Sequence, residues 1–100
     1  MDRKIVWSER ASEAIEAIVR YIARRDPEAA ARIGHGIYDR VQILLVHPEA
    51  GSILIELKTG DWRKLVFSRW KIIYAVRNET VMIGRVWPAA LGDVDLKTPL

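Results

Sequence analysis

A chain of 100 residues holds one domain and can bury a single core without staples. Half of it is hydrophobic and 29% is charged, which excludes a disordered chain, and it has no cysteine, which excludes disulfides and thiolate metal sites. No apolar run approaches the roughly 18 residues that span a bilayer, and Met1-Asp2-Arg3-Lys4 lacks the apolar region of a signal peptide. The expected address is therefore the cytoplasm, with no membrane partner.

Arg3 to Trp7 alternates around Ile5 and Trp7 and reads as an edge strand. Ser8 is placed to cap a helix that runs to about Arg25. Ala11, Ala14, Ile15, Ile18, Val19 and Ile22 give that helix one apolar stripe. Glu9, Glu13 and Glu16 in its early turns and Arg20, Arg24 and Arg25 at its end suit the macrodipole. Asp26-Pro27 opens a second helix, expected from Pro27 to about Val46, with Ala30, Ile33, Ile37, Val41, Leu44 and Leu45 as its stripe. The short link makes the two an antiparallel hairpin. Gly34 and Gly36 inside the second helix each cost roughly 1 kcal/mol relative to Ala, so they imply close packing against the first helix or against a partner. His47-Pro48 ends the helix.

After the turn at Glu49-Ala50-Gly51, Ser52 to Lys58 alternates as a strand with one buried face, and Thr59-Gly60-Asp61 is a hairpin loop. Trp62 to Phe67, Trp70 to Arg77 and Thr80 to Trp87 are three runs rich in β-branched and aromatic residues, separated by Ser68-Arg69 and Asn78-Glu79. Two-residue breaks leave no room for crossover helices, so the runs form an antiparallel meander. The fold class is α+β: an N-terminal edge strand and a helical hairpin on a twisted, mostly antiparallel sheet, in the order β-α-α-β-β-β-β. Residues 1–88 make the domain, and 89–100, without any period, read as an extended tail.

Charge is uneven along the chain. Residues 8–47 balance six acids against six bases, whereas residues 52–88 set seven bases against three acids. A basic sheet suggests an anionic partner. The same cations also solubilise an exposed face and guard sheet edges, and both readings stand at this point. Along a strand, residues two apart share a face, so Arg69 and Lys71 are expected to project together, as are Arg85 and Trp87. Arg63 shares a face with Leu65 and Phe67; it either locks the sheet to a neighbouring segment or serves as a contact residue. Trp62, Trp70 and Trp87 suit either core packing or stacking on bases.

The usual catalytic constellations are missing from the sequence. No glycine-rich phosphate loop follows a strand. His35 and His47 are the only histidines, without carboxylates at metal spacing, so neither a metal nor a cofactor is expected.

Short pieces in a fixed order nevertheless resemble one family across nearly the whole chain. They are Trp7-Ser8 with Ala11; Ile18 with Tyr21-Ile22-Ala23; Pro27 with Ala29-Ala30; Leu44 through His47-Pro48 to Gly51; Arg63-Lys64-Leu65; Trp70-Lys71-Ile72-Ile73-Tyr74; and Val86. The chain resembles a RelE/ParE-type toxin of a bacterial type II toxin–antitoxin module. The resemblance implies the fold derived above, a cognate antitoxin as partner, and one of two targets. One branch cuts messenger RNA on the ribosome; the ParE-like branch poisons DNA gyrase.

Lys64 and Lys71 stand roughly where the ribonuclease branch has basic residues, so they are its expected catalytic pair if that branch applies. Pro88-Ala89-Ala90 stands where that branch has an arginine, Trp87 where many members carry His, and no aromatic residue follows Trp87. The combination favours the ParE-like branch, a gyrase inhibitor without catalytic residues. Leu54, Arg63, Lys64, Val66, Arg69, Arg85 and Trp87 are the expected antitoxin contacts, and Trp87, Leu91, Val94 and Leu96 the expected target contacts. The alternatives are the ribosome-dependent ribonuclease and a small, non-toxic αβ binding module.

Overall fold

The computed structural model describes residues 3–54 and 62–88. Its elements are β1 (Lys4–Trp7), α1 (Glu9–Ala23), α2 (Pro27–Val41), β2 (Ser52–Ile53), β3 (Trp62–Phe67), β4 (Trp70–Arg77) and β5 (Thr80–Pro88). Both helix starts follow from their caps. Ser8 Oγ accepts from the Ala11 N–H at 3.0 Å, and Asp26 Oδ1 accepts from the Ala29 N–H at 3.0 Å with Pro27 behind it. Ser8 has a second bond, donating from Oγ to the Gly84 carbonyl at 2.7 Å, which ties the helix start to the sheet.

The second helix is shorter than its apolar stripe suggests. The α-helix ends at Val41, and Gln42–Leu45 tightens into a 3₁₀ turn, with the His47 N–H reaching the Ile43 carbonyl at 2.7 Å. Pro48 just beyond disfavours helical geometry at His47, and 3₁₀ turns commonly close a helix in this way. Leu44 is still fully buried, so the stripe continues across the change of pitch.

The sheet order is β1-β5-β4-β3-β2. The meander β3-β4-β5 is antiparallel, β2 pairs antiparallel with β3, and β1 lies parallel to β5 at the edge. One sheet face carries Leu65, Ile72, Tyr74, Val81, Ile83 and Val86 against Ala11, Ile37, Val41 and Leu44 of the helical layer. A register shift between Ile73 and Tyr74 leaves Gly84 as an extra residue on β5, so that Ile83 and Val86 keep to the same face. The glycines of α2 have structural reasons. Gly34 lies against Val19 of α1, and a Cβ at Gly36 would run into the Phe67 ring of β3.

The strand expected over Ser52–Lys58 is seen at Ser52–Ile53; residues 55–61, including the expected hairpin loop, lie outside the described residues, as do residues 89–100. Arg69 is not on a strand. It belongs to the β3–β4 turn, where Ser68 takes a φ of 54°, so the expected shared face with Lys71 does not form. Two-residue hairpin loops need such left-handed positions.

Candidate functional site

The face of the sheet turned away from the helices is where the charge collects. The five strands contain no Asp or Glu, and carry Lys4, Arg63, Lys64, Lys71, Arg77 and Arg85. Register sorts these six. Arg63 pairs with Tyr74 and goes to the helix side, whereas Lys64 pairs with Ile73, Ile73 with Arg85, and Lys71 with Val66 and Trp87. Lys4 and Arg77 both flank Thr80 farther along the same helix-free face. Side chains across such pairs stand about 5 Å apart at Cβ, and Lys71 shares the face two residues along the same strand, so Lys64, Lys71 and Arg85 surround one position, Ile73.

That position is the apolar floor of the face. Ile73 is fully buried and Leu54 is 6% exposed, with Trp62 and Trp87 packed against them. Leu54 was expected to remain on the surface after core packing. It is buried instead, and Ile53 is the exposed neighbour, because β2 turns Leu54 towards Ile73 on the helix-free side. The Arg85 guanidinium lies 4.8 Å from the Trp87 ring centroid, a cation–π contact that holds both side chains over the floor. Trp87 Nε1 is buried and has no hydrogen-bond partner among the described residues.

The other side of β3 and β4 holds a loop in place. Tyr74 Oη donates to the Pro48 carbonyl and accepts from the Gly51 N–H, both at 2.8 Å. Arg63 Nη1 donates to the Gly51 carbonyl at 2.8 Å and to the Glu49 carbonyl at 3.4 Å. Arg63 is thus a lock on residues 49–51. Gly51 has to be glycine, since a Cβ would meet the Lys64 carbonyl and the Tyr74 ring and hydroxyl. Burial pushes the Tyr74 hydroxyl above its ordinary pKa; the Gly51 N–H and the Arg63 charge oppose that, and Glu49 adds to it.

A stretch of sheet edge is also open. β1 pairs with β5 only over Thr80–Ile83, and the chain then turns into α1. Arg85 to Pro88 have no strand beside them on that side among the described residues, and a hollow of about 540 Å³ lies there between β5 and the first turns of α1, lined by Arg10, Glu13, Arg85 and Trp87 among others. A second hollow of about 480 Å³ runs along the helical hairpin between Ile15, Val19, Ala31 and Tyr38.

The family model for the ParE toxin of the type II toxin–antitoxin system parDE matches residues 5–90. The chain belongs to the ParE toxin family. Its fold is also that of a chain from the chromosomal ParDE TA system of P. aeruginosa, with a TM-score of 0.70 over 88% of this chain and 96% of that one, at 20% identity. No curated protein sequence matches it.

On this ParE-family frame the expected contact residues separate. Lys64, Val66, Arg85 and Trp87 share the helix-free face, Val66 being 49% exposed. Arg69 sits in the adjoining turn, Leu54 beneath the face and Arg63 behind it. Leu91, Val94 and Leu96 lie outside the described residues. Trp70 packs on the helix-side core, which assigns it to packing rather than to stacking on a ligand. Sequence reasoning missed Lys4 and Arg77. Arg77 had a signal, since positions 71, 73, 75 and 77 of one strand share a face; Lys4 had none, because its place depends on pairing with a strand at the far end of the chain. Among the described residues no three His, Cys, Asp or Glu side chains come close enough to hold a metal ion, and no helix is long and apolar enough to cross a membrane.

Proposed function

We propose that this ParE-family toxin acts by binding DNA gyrase and trapping it on DNA, and that a cognate antitoxin silences it by covering the helix-free face and the open edge of β5. One observation carries the choice of target. Lys64, Lys71 and Arg85 converge around Ile73, yet no histidine or carboxylate of the described strands stands with them. His35 lies on α2 and His47 beyond the 3₁₀ turn, both off this face. Cutting RNA requires a group that takes or delivers a proton at the reacting phosphate. Lysine can move a proton, but histidine and carboxylates are the usual groups for that step, and none of those on the described strands stands here. Inhibition by binding asks only for a stable surface, and the meander supplies one.

The antitoxin reading draws on the same geometry. An extended segment can add beside Arg85–Pro88, where β5 has outrun β1, while acidic residues meet Lys64, Arg69 and Arg85. The converging lysines also favour the ribonuclease as the second reading, so the assay sets both targets side by side. Purified chain is incubated with gyrase and supercoiled plasmid, and separately with ribosomes translating a messenger. Gyrase cleavage complexes that accumulate while the messenger stays intact are the expected result. Codon-phased cuts in the messenger with gyrase untouched would overturn the reading.

A further inference from the structure

We infer that the helix-free face holds the phosphodiester backbone of a DNA strand, so that the toxin grips DNA as well as protein in the trapped gyrase complex. The inference rests on the gyrase reading for its setting, but its chemistry stands on the sheet alone. Five of the six cations on the described strands, Lys4, Lys64, Lys71, Arg77 and Arg85, lie on this face, and no described strand carries an acid. A face built only to stay soluble mixes both signs. A single-sign face is built for a partner of the opposite sign.

The occupant is a backbone rather than a stacked base. The Trp87 ring already has the Arg85 guanidinium above it at 4.8 Å, and Trp62 is packed on the Leu54–Ile73 floor. Neither indole offers a free platform, so contact comes from ammonium and guanidinium groups at the rim. Lys64 and Lys71 are half-buried beside the apolar floor, and side chains of this kind can bury their stems while keeping the charge in water. Arg77 and Lys4 are exposed farther along, which continues the positive track past the Val6–Met82 pair. A strand of phosphates can follow that line from Lys71 to Lys4.

The test uses the full chain without gyrase and a fluorescein-labelled oligothymidylate, read by anisotropy across a salt series. Wild type is expected to bind at low salt, with log Kd linear in log salt. Each contacting lysine removed should flatten that slope by roughly 0.7. Lys64→Gln/Lys71→Gln should therefore bind more weakly and with a shallower slope. Arg24→Gln/Arg25→Gln, an equal charge change at the exposed end of α1, should leave both unchanged. If the first pair lowers the thermal midpoint, Lys4→Gln/Arg77→Gln on the exposed rim takes its place with the same expectation.

Equal weakening by the face pair and the α1 pair, or no binding at low salt, would overturn the inference. The gyrase assay separates the two proposals. Wild-type potency of the face variants against gyrase would sink the DNA contact and leave gyrase inhibition standing. Oligothymidylate binding lost in the face variants, together with a gyrase left unpoisoned by wild type, would do the reverse.

Discussion

Replacing Tyr74 with Phe removes one oxygen from the centre of the molecule and isolates its consequence for the loop at residues 48–51. Tyr74 is fully buried, and its hydroxyl is both acceptor for the Gly51 N–H and donor to the Pro48 carbonyl. Gly51 is buried, so its N–H is left without a partner, at a cost of about 1–3 kcal/mol. Pro48 is half-buried, so water can reach its carbonyl and adds little to the loss. The net expectation is about 2 kcal/mol, since Phe keeps the ring that fills the core. For a 100-residue chain each kcal/mol moves the midpoint by about 4–8 °C, so Tm should drop by roughly 8–16 °C. Urea unfolding should show a lower midpoint at unchanged slope. A loss below about 0.5 kcal/mol would refute the reasoning, since it would mean that the Gly51 N–H finds another partner at no cost. A pH series adds an independent check. The folded pKa is raised above the unfolded value of about 10. The contribution of this group is therefore fully present below pH 10 and is lost as pH climbs through the folded pKa. The decline above pH 10 should appear in wild type and be reduced in Tyr74→Phe.

Ser8→Ala should cost about 1–2 kcal/mol in urea unfolding, because it removes both the cap to the Ala11 N–H and the bond to the Gly84 carbonyl; a loss no larger than at an exposed helix serine would argue against the second bond. Glu79→Gly should stabilise by about 0.5–1 kcal/mol, because Asn78 and Glu79 both hold positive φ, 48° and 65°, in the β4–β5 turn. A lower urea midpoint for that variant would count against the turn geometry.

The meander could be read from the sequence because its signals are local. Polar pairs at Ser68-Arg69 and Asn78-Glu79 fix two tight turns, and everything between them follows by alternation. Arg85 beside Trp87 was legible for the same reason. What failed to show was set by distant partners. Nothing near β1 says that it runs parallel to β5. Alternation in the Ser52 segment could not say which side is buried, because the floor beneath Leu54 comes from β4 and β5. Arg69 lost its strand position to the turn. Tyr74 did leave a clue that went unused. A tyrosine amid Ile72, Ile73 and Ala75 needs a partner for its hydroxyl, and Pro48 to Gly51 is the polar segment that supplies one.

The parallel pairing of β1 with β5 also orders events in time. The Ser8–Gly84 bond closes 76 residues of chain, and the Lys4–Thr80 pairing closes a loop of similar size. Contacts that distant form late, because closing a long loop costs entropy before any pairing repays it. The helical hairpin and the meander can each form from neighbours in sequence; the edge strand has to wait for both. On a translating ribosome β1 emerges first, yet it has no place to dock until β5 has left the exit tunnel. Between the emergence of β5 and the docking of β1 the chain thus holds an incomplete sheet, with the edge of β5 bare along its full length rather than only beyond Ile83. A partner already present at that stage meets a wider edge than the finished toxin offers. Pulse-labelled hydrogen exchange during refolding should find the β1 amides protected last.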